Sequence, residues 1–302
     1  MNPALLLLAD SRLPAGGHAH SGGTEQAITS GAVSDVPSLA RFLRGRLHTT
    51  GALAATLTAA AHTHASTTSA SASPPAATHP STPSAGPATS PPSTAAGRNA
   101  DAGTRADAEV GQAASGSPWV LLDAEVDART AAPAQRDASR TQGRLLLRVA
   151  RRVWPSPVLE ELARAVPSPH HPIALGAVAY AAGATAEEAA VAAAYHAISG
   201  PATAAVRLLG LDPVAVHGLL ADLTPDLTAI VTEAHLAVTK ARSTAHLTMA
   251  DADSTARPGL TSPPQDPADP RPWLAALPAY SSPALDLLAE QHARAEVRLF
   301  VS

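Results

Sequence analysis

Thr185-Ala186-Glu187-Glu188-Ala189-Ala190-Val191-Ala192-Ala193-Ala194-Tyr195 decides the fold class of this chain. Thr185 and Glu188 have the spacing of a capping box, in which hydroxyl and carboxylate each answer a backbone N–H left unpaired at a helix start. The alanines that follow lead the helix propensity scale. The pattern predicts a helix from Ala186 that reaches Ser199 or, past Pro201, Leu209. Pro201 should break or kink it, because proline has no N–H and its ring crowds the preceding turn.

The same chemistry extends along the chain. Its 302 residues are 45% apolar but only 3% aromatic, so the core must be built from alanine, leucine and valine. The β-formers Tyr, Phe and Trp are nearly absent, no stretch alternates apolar with polar, and no fixed-period repeat is visible. An all-α fold is predicted, a helical-bundle-like domain of about eight to ten helices with two long disordered insertions. Val36, Leu39, Leu43 and Leu47 recur at helical spacing behind Asp35, a good N-cap, with Pro37 tolerated in the first turn, and this helix continues toward Leu57. Leu121, Leu122 and Val126 start another, and Leu145, Leu146, Val149 and Val153 line a third, from about Pro133 to Pro155. Leu219 to Arg242 holds one or two more, and Ser282-Pro283 with Asp286 opens the last.

Two segments change character. Residues 63–117 contain no Leu, Ile, Phe, Trp, Tyr or Met and cannot bury enough apolar surface to offset their ordering entropy, so they are expected to be a disordered Ser/Thr/Pro/Ala-rich insertion. Residues 251–272 are proline-rich and expected to be a linker. These divide the helical domain into an N-terminal part (1–62), a central part (118–250) and a C-terminal helix with a partner-docking tail (273–302).

Composition also excludes whole classes of function. A net charge of −4 provides no field to gather nucleic acid or coat an anionic membrane. Without cysteines there are no disulfides, thiolate nucleophiles or thiolate metal sites. Leu5 to Ala9 is far shorter than the roughly 20 residues of a membrane span, and no basic residue precedes it, so a cytoplasmic protein is expected.

The chemistry that remains is sparse. Leu13-Pro14-Ala15-Gly16-Gly17-His18-Ala19-His20-Ser21-Gly22-Gly23-Thr24-Glu25 is a glycine- and histidine-rich loop. In an extended segment His18 and His20 point to the same side, and imidazole suits nickel, zinc or copper; the alternative is a pair of exposed or packed loop histidines. His62, His64 and His79, in or beside the low-complexity tract, are expected to be solvated spacer. His292 and Glu296 face the same way near the chain's end, as a surface hydrogen bond or ion pair more readily than as a ligand pair. Arg144, Arg148 and Arg151 share one helix flank, either solvated or facing an acidic partner or a nucleotide phosphate. Gly16-Gly17 lacks the Lys and Ser/Thr of a phosphate-binding loop, and no GxSxG, HExxH or dinucleotide fingerprint occurs. No catalytic set is assembled; an undetected hydrolase would rest on scattered His, Asp and Ser alone.

Leu6-Leu7-Leu8-Ala9-Asp10, Leu13-Pro14-Ala15-Gly16-Gly17 and Ser21-Gly22-Gly23-Thr24-Glu25 together resemble the N-terminal signature of the UreF urease accessory proteins. Gln142-Gly143-Arg144 is similar to that family's central helix, and Ser282-Pro283-Ala284-Leu285-Asp286-Leu287-Leu288, His292 and Arg298-Leu299-Phe300-Val301-Ser302 to its tail. The resemblance implies an all-helical homodimer that is not an enzyme. It implies a maturation chaperone, joining a UreD/UreH-type accessory protein and the UreG-type GTPase in GTP-dependent nickel insertion into apo-urease. Gly16 and Gly17 would then lie near a dimer or partner surface. Arg298, Leu299, Phe300 and Ser302 would dock on the second accessory protein, with Arg144, Arg148 and Arg151 as the GTPase-facing candidates. No cofactor is required, although nickel could pass transiently, with His18 and His20 as its candidate ligands. Many family members carry aromatic residues at those two positions, and the stretch from Arg207 to Asp212 also departs from the family pattern.

Overall fold

The computed structural model describes residues 2–10, 21–71, 117–255, 271–295 and 299. Among them there is no strand, and the helices are α1 (Pro3–Ala9), α2 (Thr24–Thr29), α3 (Val36–Arg46), a π turn (Leu47–Gly51), α4 (Ala52–Ser71), α5 (Pro118–Arg129), α6 (Pro133–Val153), α7 (Pro157–Ala165), α8 (His171–Ala181), α9 (Ala186–Leu209), α10 (Pro213–Asp222), α11 (Thr224–Thr255), α12 (Arg271–Leu274) and α13 (Pro283–Arg294). The all-α expectation holds. Short pieces such as α1, α2 and α12 take the number of segments above the eight to ten expected.

The capping signals act as read. Thr185 Oγ1 accepts from Glu188 N at 3.1 Å and Glu188 Oε2 accepts from Thr185 N at 3.1 Å, while Glu188 Oε1 accepts from Asn2 N at 2.7 Å and so also ties down the start of α1. Asp35 and Ser38 form a second capping box at the head of α3. Ser282 precedes α13 without a side-chain cap bond, so there the proline at the first helical position is the effective start signal.

Helix α8 is the centre of the molecule. Every residue from Pro172 to Ala179 is buried, as expected of a helix that is apolar all round. It packs against α4, α6, α9 and α7, and the alanine faces of α4 and α9 let the helix axes come close. One contiguous core runs from Leu5 and Leu8 on α1 to Leu277 beyond α12. No single helix among the described residues is long and apolar enough to cross a membrane; the bent pair of α10 with α11 through Ala245 passes by length and composition alone.

Several expectations need correction. The tract from residue 63 is not spacer at its beginning: α4 continues to Ser71, and His62 and His64 are buried in it. Low hydropathy misleads here because alanine, threonine and histidine suffice on a helix enclosed by neighbours; His79 and the rest of the insertion lie outside the described residues. Helix α11 similarly takes residues 251–255 and α12 takes 271–272 from the predicted linker. Helix α9 runs through Pro201 to Leu209, the longer of its two expected ends, without the break expected at the proline. On α6 the buried stripe is Gly143, Leu146, Leu147 and Ala150, whereas Val153 is 51% exposed. The helix is rotated from the predicted face because Gly143 must meet the loop before α8.

Candidate functional site

Three polar centres stand out from the alanine core. The first closes on itself. Asp123 and Asp127 lie one turn apart on α5, and Arg140 of α6 donates to both, with Nη1 at 2.9 Å from Asp123 Oδ2 and at 2.9 Å from Ser168 O. Asp123 Oδ1 accepts from His170 N at 2.7 Å, and His170 Nε2 is 2.9 Å from Asp127 Oδ1. Gly143 makes this possible. A Cβ there would stand 2.1 Å from Pro169 O, so only glycine lets α6 approach the 169–170 backbone. Desolvation works to lower the Arg140 pKa, but Asp123 and Asp127 outweigh it and the net shift is upward. His170 moves down because burial outweighs its carboxylate neighbours. Asp123, Asp127 and His170 are the one group among the described residues with metal-ligand spacing, within 4.8 Å of one another. Arg140 already supplies the cation that such a donor set would seek, and the arrangement is a cross-brace between α5, α6 and the loop before α8.

The second centre is a cavity of about 430 Å³ beneath the π turn. Arg46, Thr50, Ser139, Gln142, His171 and His196 supply its polar wall, and Leu8, Leu53, Leu57, Leu146 and Leu285 its apolar one. The π turn re-aims the helix at this point, as π segments commonly do beside functional surfaces. Arg46, which precedes it, bonds to the carbonyl that Pro201 leaves free in α9: its Nε donates to Ala197 O at 2.7 Å, and its Nη1 to Gly22 O at 2.7 Å. That bond is why Pro201 does not end the helix. The His171 and His196 rings stand 5.8 Å apart, and His196 Nε2 is 3.0 Å from Leu8 O. Burial lowers the His196 pKa, with the Leu8 carbonyl acting weakly against it.

The third centre is where the chain's two ends meet. Glu290 Oε1 accepts from Ala134 N at 2.9 Å at the head of α6, which fixes α13 against the core. His292 is buried, not on the surface as expected, because it lies against α2 with its Nε2 3.8 Å from Glu25 Oε2. The Leu299 N–H donates to Glu25 Oε1 at 2.9 Å, while its side chain is 73% exposed. Leu299 therefore does not cap this protein's own core.

The other predicted site residues divide cleanly. Arg144, Arg148 and Arg151 are all exposed along α6; Arg151 pairs with Glu160 at 2.8 Å, while Arg144 and Arg148 have no bond or ion pair among the described residues. Gly16, Gly17, His18, His20, Glu296, Arg298, Phe300 and Ser302 lie outside the described residues. Sequence reasoning missed the Asp123–Asp127–Arg140–His170 brace and the Arg46 cavity. The i,i+4 aspartates on α5 and the buried-helix start His170-His171-Pro172 were the available signals.

These features define an all-α protein organised around a polar-tipped cavity and converging N- and C-terminal segments. Comparison with known proteins makes the assignment specific. The UreF family model matches residues 33–224, and the chain belongs to that family. It is 36% identical over 301 residues to the urease accessory protein UreF of a Mycobacterium species, covering 99% of this chain and 97% of that one. It is 38% identical over 221 residues to that of Mycolicibacterium vanbaalenii (73% and 79% covered), and 38% over 212 residues to that of Mycobacterium tuberculosis (70% and 75%).

Proposed function

We propose that this protein is a urease maturation chaperone. As a homodimer in the cytoplasm, it holds a UreD/UreH-type accessory protein and the UreG-type GTPase together with apo-urease during GTP-dependent nickel insertion, and performs no catalysis itself. The observation that carries this reading is the likeness, over nearly the whole of both chains, to a urease accessory protein of the same family. The convergence of Glu25, His292 and Leu299 supports it, because it leaves an exposed leucine on an anchored tail. An exposed apolar side chain on an anchored backbone is a group that a partner surface can bury.

Deleting residues 298–302 should abolish co-elution with the UreD/UreH-type protein on gel filtration while the melting temperature of the isolated chain stays unchanged. Complex formation at full yield would remove the tail from the docking role. A second reading, regulation of the GTPase, is favoured by Arg144 and Arg148, which are exposed and have no ion pair among the described residues. Reversing both charges should weaken GTPase binding, with a loss that fades at high salt. No change would return the flank to solvent. Whether His18 and His20 hold nickel in transit is decided by calorimetry on the double alanine variant.

A further inference from the structure

Arg46 has a guanidinium that the fold answers only in part. Among the described residues, two of the five N–H groups of this arginine are used, both on neutral carbonyls, and Arg46 lines the cavity. Among the described residues no carboxylate pairs with it, and desolvation alone holds its pKa down to about 10. Arg46 is part-buried, and a guanidinium facing a cavity with no carboxylate on it among the described residues is a place that an anion can fill. Elsewhere on the described wall stand Arg207, the carboxylate of Asp10, the phenol of Tyr195 and the imidazoles of His171, His196 and His217. The lining also includes apolar side chains, Leu53, Leu57 and Leu146 among them. A chamber of about 430 Å³ whose lining combines a guanidinium with leucine side chains has the form of a small-ligand site.

We propose that this cavity binds a small amphipathic carboxylate, its charged end on the free N–H groups of Arg46 and its hydrocarbon part against Leu53, Leu57 and Leu146. A planar guanidinium suits a carboxylate better than an ammonium would, and water exclusion by the apolar wall strengthens the pair. The site stands on this chain's own geometry and is independent of the urease reading. A bound anion would join the N-terminal segment at Gly22, the end of α3 and the proline turn of α9 through one arginine.

The full chain is titrated calorimetrically with acetate, butyrate, hexanoate, octanoate and benzoate, with hexanol and hexylammonium as controls. Hexanoate or benzoate should bind saturably and about tenfold more tightly than acetate, and neither control should bind. Ala54→Leu fills the chamber and leaves Arg46 in place, so it should weaken binding about tenfold or more while the circular dichroism spectrum and melting temperature persist. Arg46→Lys keeps the charge without the planar fork and should weaken binding as well. If it fails to fold, Ala54→Leu decides. The proposal is overturned if no carboxylate of the panel binds at about 10 mM, if hexanol binds as well as hexanoate, or if Ala54→Leu binds unchanged.

Discussion

Arg140 and Arg46 are both drawn into this fold, and they are treated in opposite ways. Arg140 is surrounded by acids, with Asp123 and Asp127 on its nitrogens and His170 completing the group. Among the described residues, Arg46 has carbonyls only. Each has a glycine at its side. Gly143 lets the backbone of residues 169–170 come against α6, and Gly22, at φ +58°, lets Arg46 and Pro201 close around it. A guanidinium matched by carboxylates is a brace, because removing it strands buried negative charge. One matched by neutral dipoles holds the chain together yet stays electrically open.

The glycines offer the largest effect. Gly143→Ala sets a methyl against Pro169 O and His170 C, rigid backbone atoms at 2.1 and 2.7 Å, and should cost about 3 kcal/mol or more in urea unfolding. Gly22→Ala meets only the movable ends of Arg46 and Pro201 at 2.9 Å, together with a strained φ, and should cost about 1–2 kcal/mol. Equal losses would mean that the 169–170 loop is soft and that the brace is not what holds it.

Next in size are the arginines themselves. Arg140→Met leaves the buried Asp123 without its cation and should cost about 2–3 kcal/mol, below the full price of a broken buried pair because Arg140 is 31% exposed. Arg46→Met leaves two carbonyls unanswered and should cost about 1–2 kcal/mol in the same urea titration. If Arg46→Met proves the more damaging, Arg46 is chiefly a structural strut.

The smallest effect at neutral pH concerns the imidazoles, which repeat the contrast. His170 is answered by Asp127, whereas His64 packs edge-on against Trp119, 4.6 Å between centroids, with its Nε2 buried and unpaired. Burial, reinforced by Arg242, pushes the His64 pKa down to about 4. The folded value lies below the unfolded one, so the unfolded chain takes up the proton first as pH falls. Stability should therefore be intact above about pH 6.5 and decline toward pH 4 by up to about 1 kcal/mol per pH unit from this residue. His64→Leu should flatten that part of the slope while changing stability at pH 7 by less than about 1 kcal/mol. An unchanged slope between pH 6.5 and 4 would place the acid sensitivity elsewhere, in His62, His170 or His196.

Much of the fold was legible because its signals are local. The Thr185/Glu188 and Asp35 caps, the i,i+4 steps of the Leu39, Leu43 and Leu47 stripe and the proline that opens α13 each act within about one helical turn. The candidate site was far less legible. Arg46 and Ala197 are 151 residues apart, and Gly143 meets the backbone of Pro169 and His170 from another helix. No periodicity reports such a meeting. His62 and His64 were misread for a related reason, since burial on α4 comes from α8 and α9 and leaves no mark in a Ser/Thr/Ala composition.

The sequence by itself determined that this chain is helical, where α3, α5, α6, α9 and α13 begin, and through its two terminal signatures which family it belongs to, because propensity, capping and motif order are properties of short stretches. Only the tertiary structure decided which of its cations are answered. A charge is balanced by what stands beside it in space, and here the carboxylates came to Arg140 and not to Arg46.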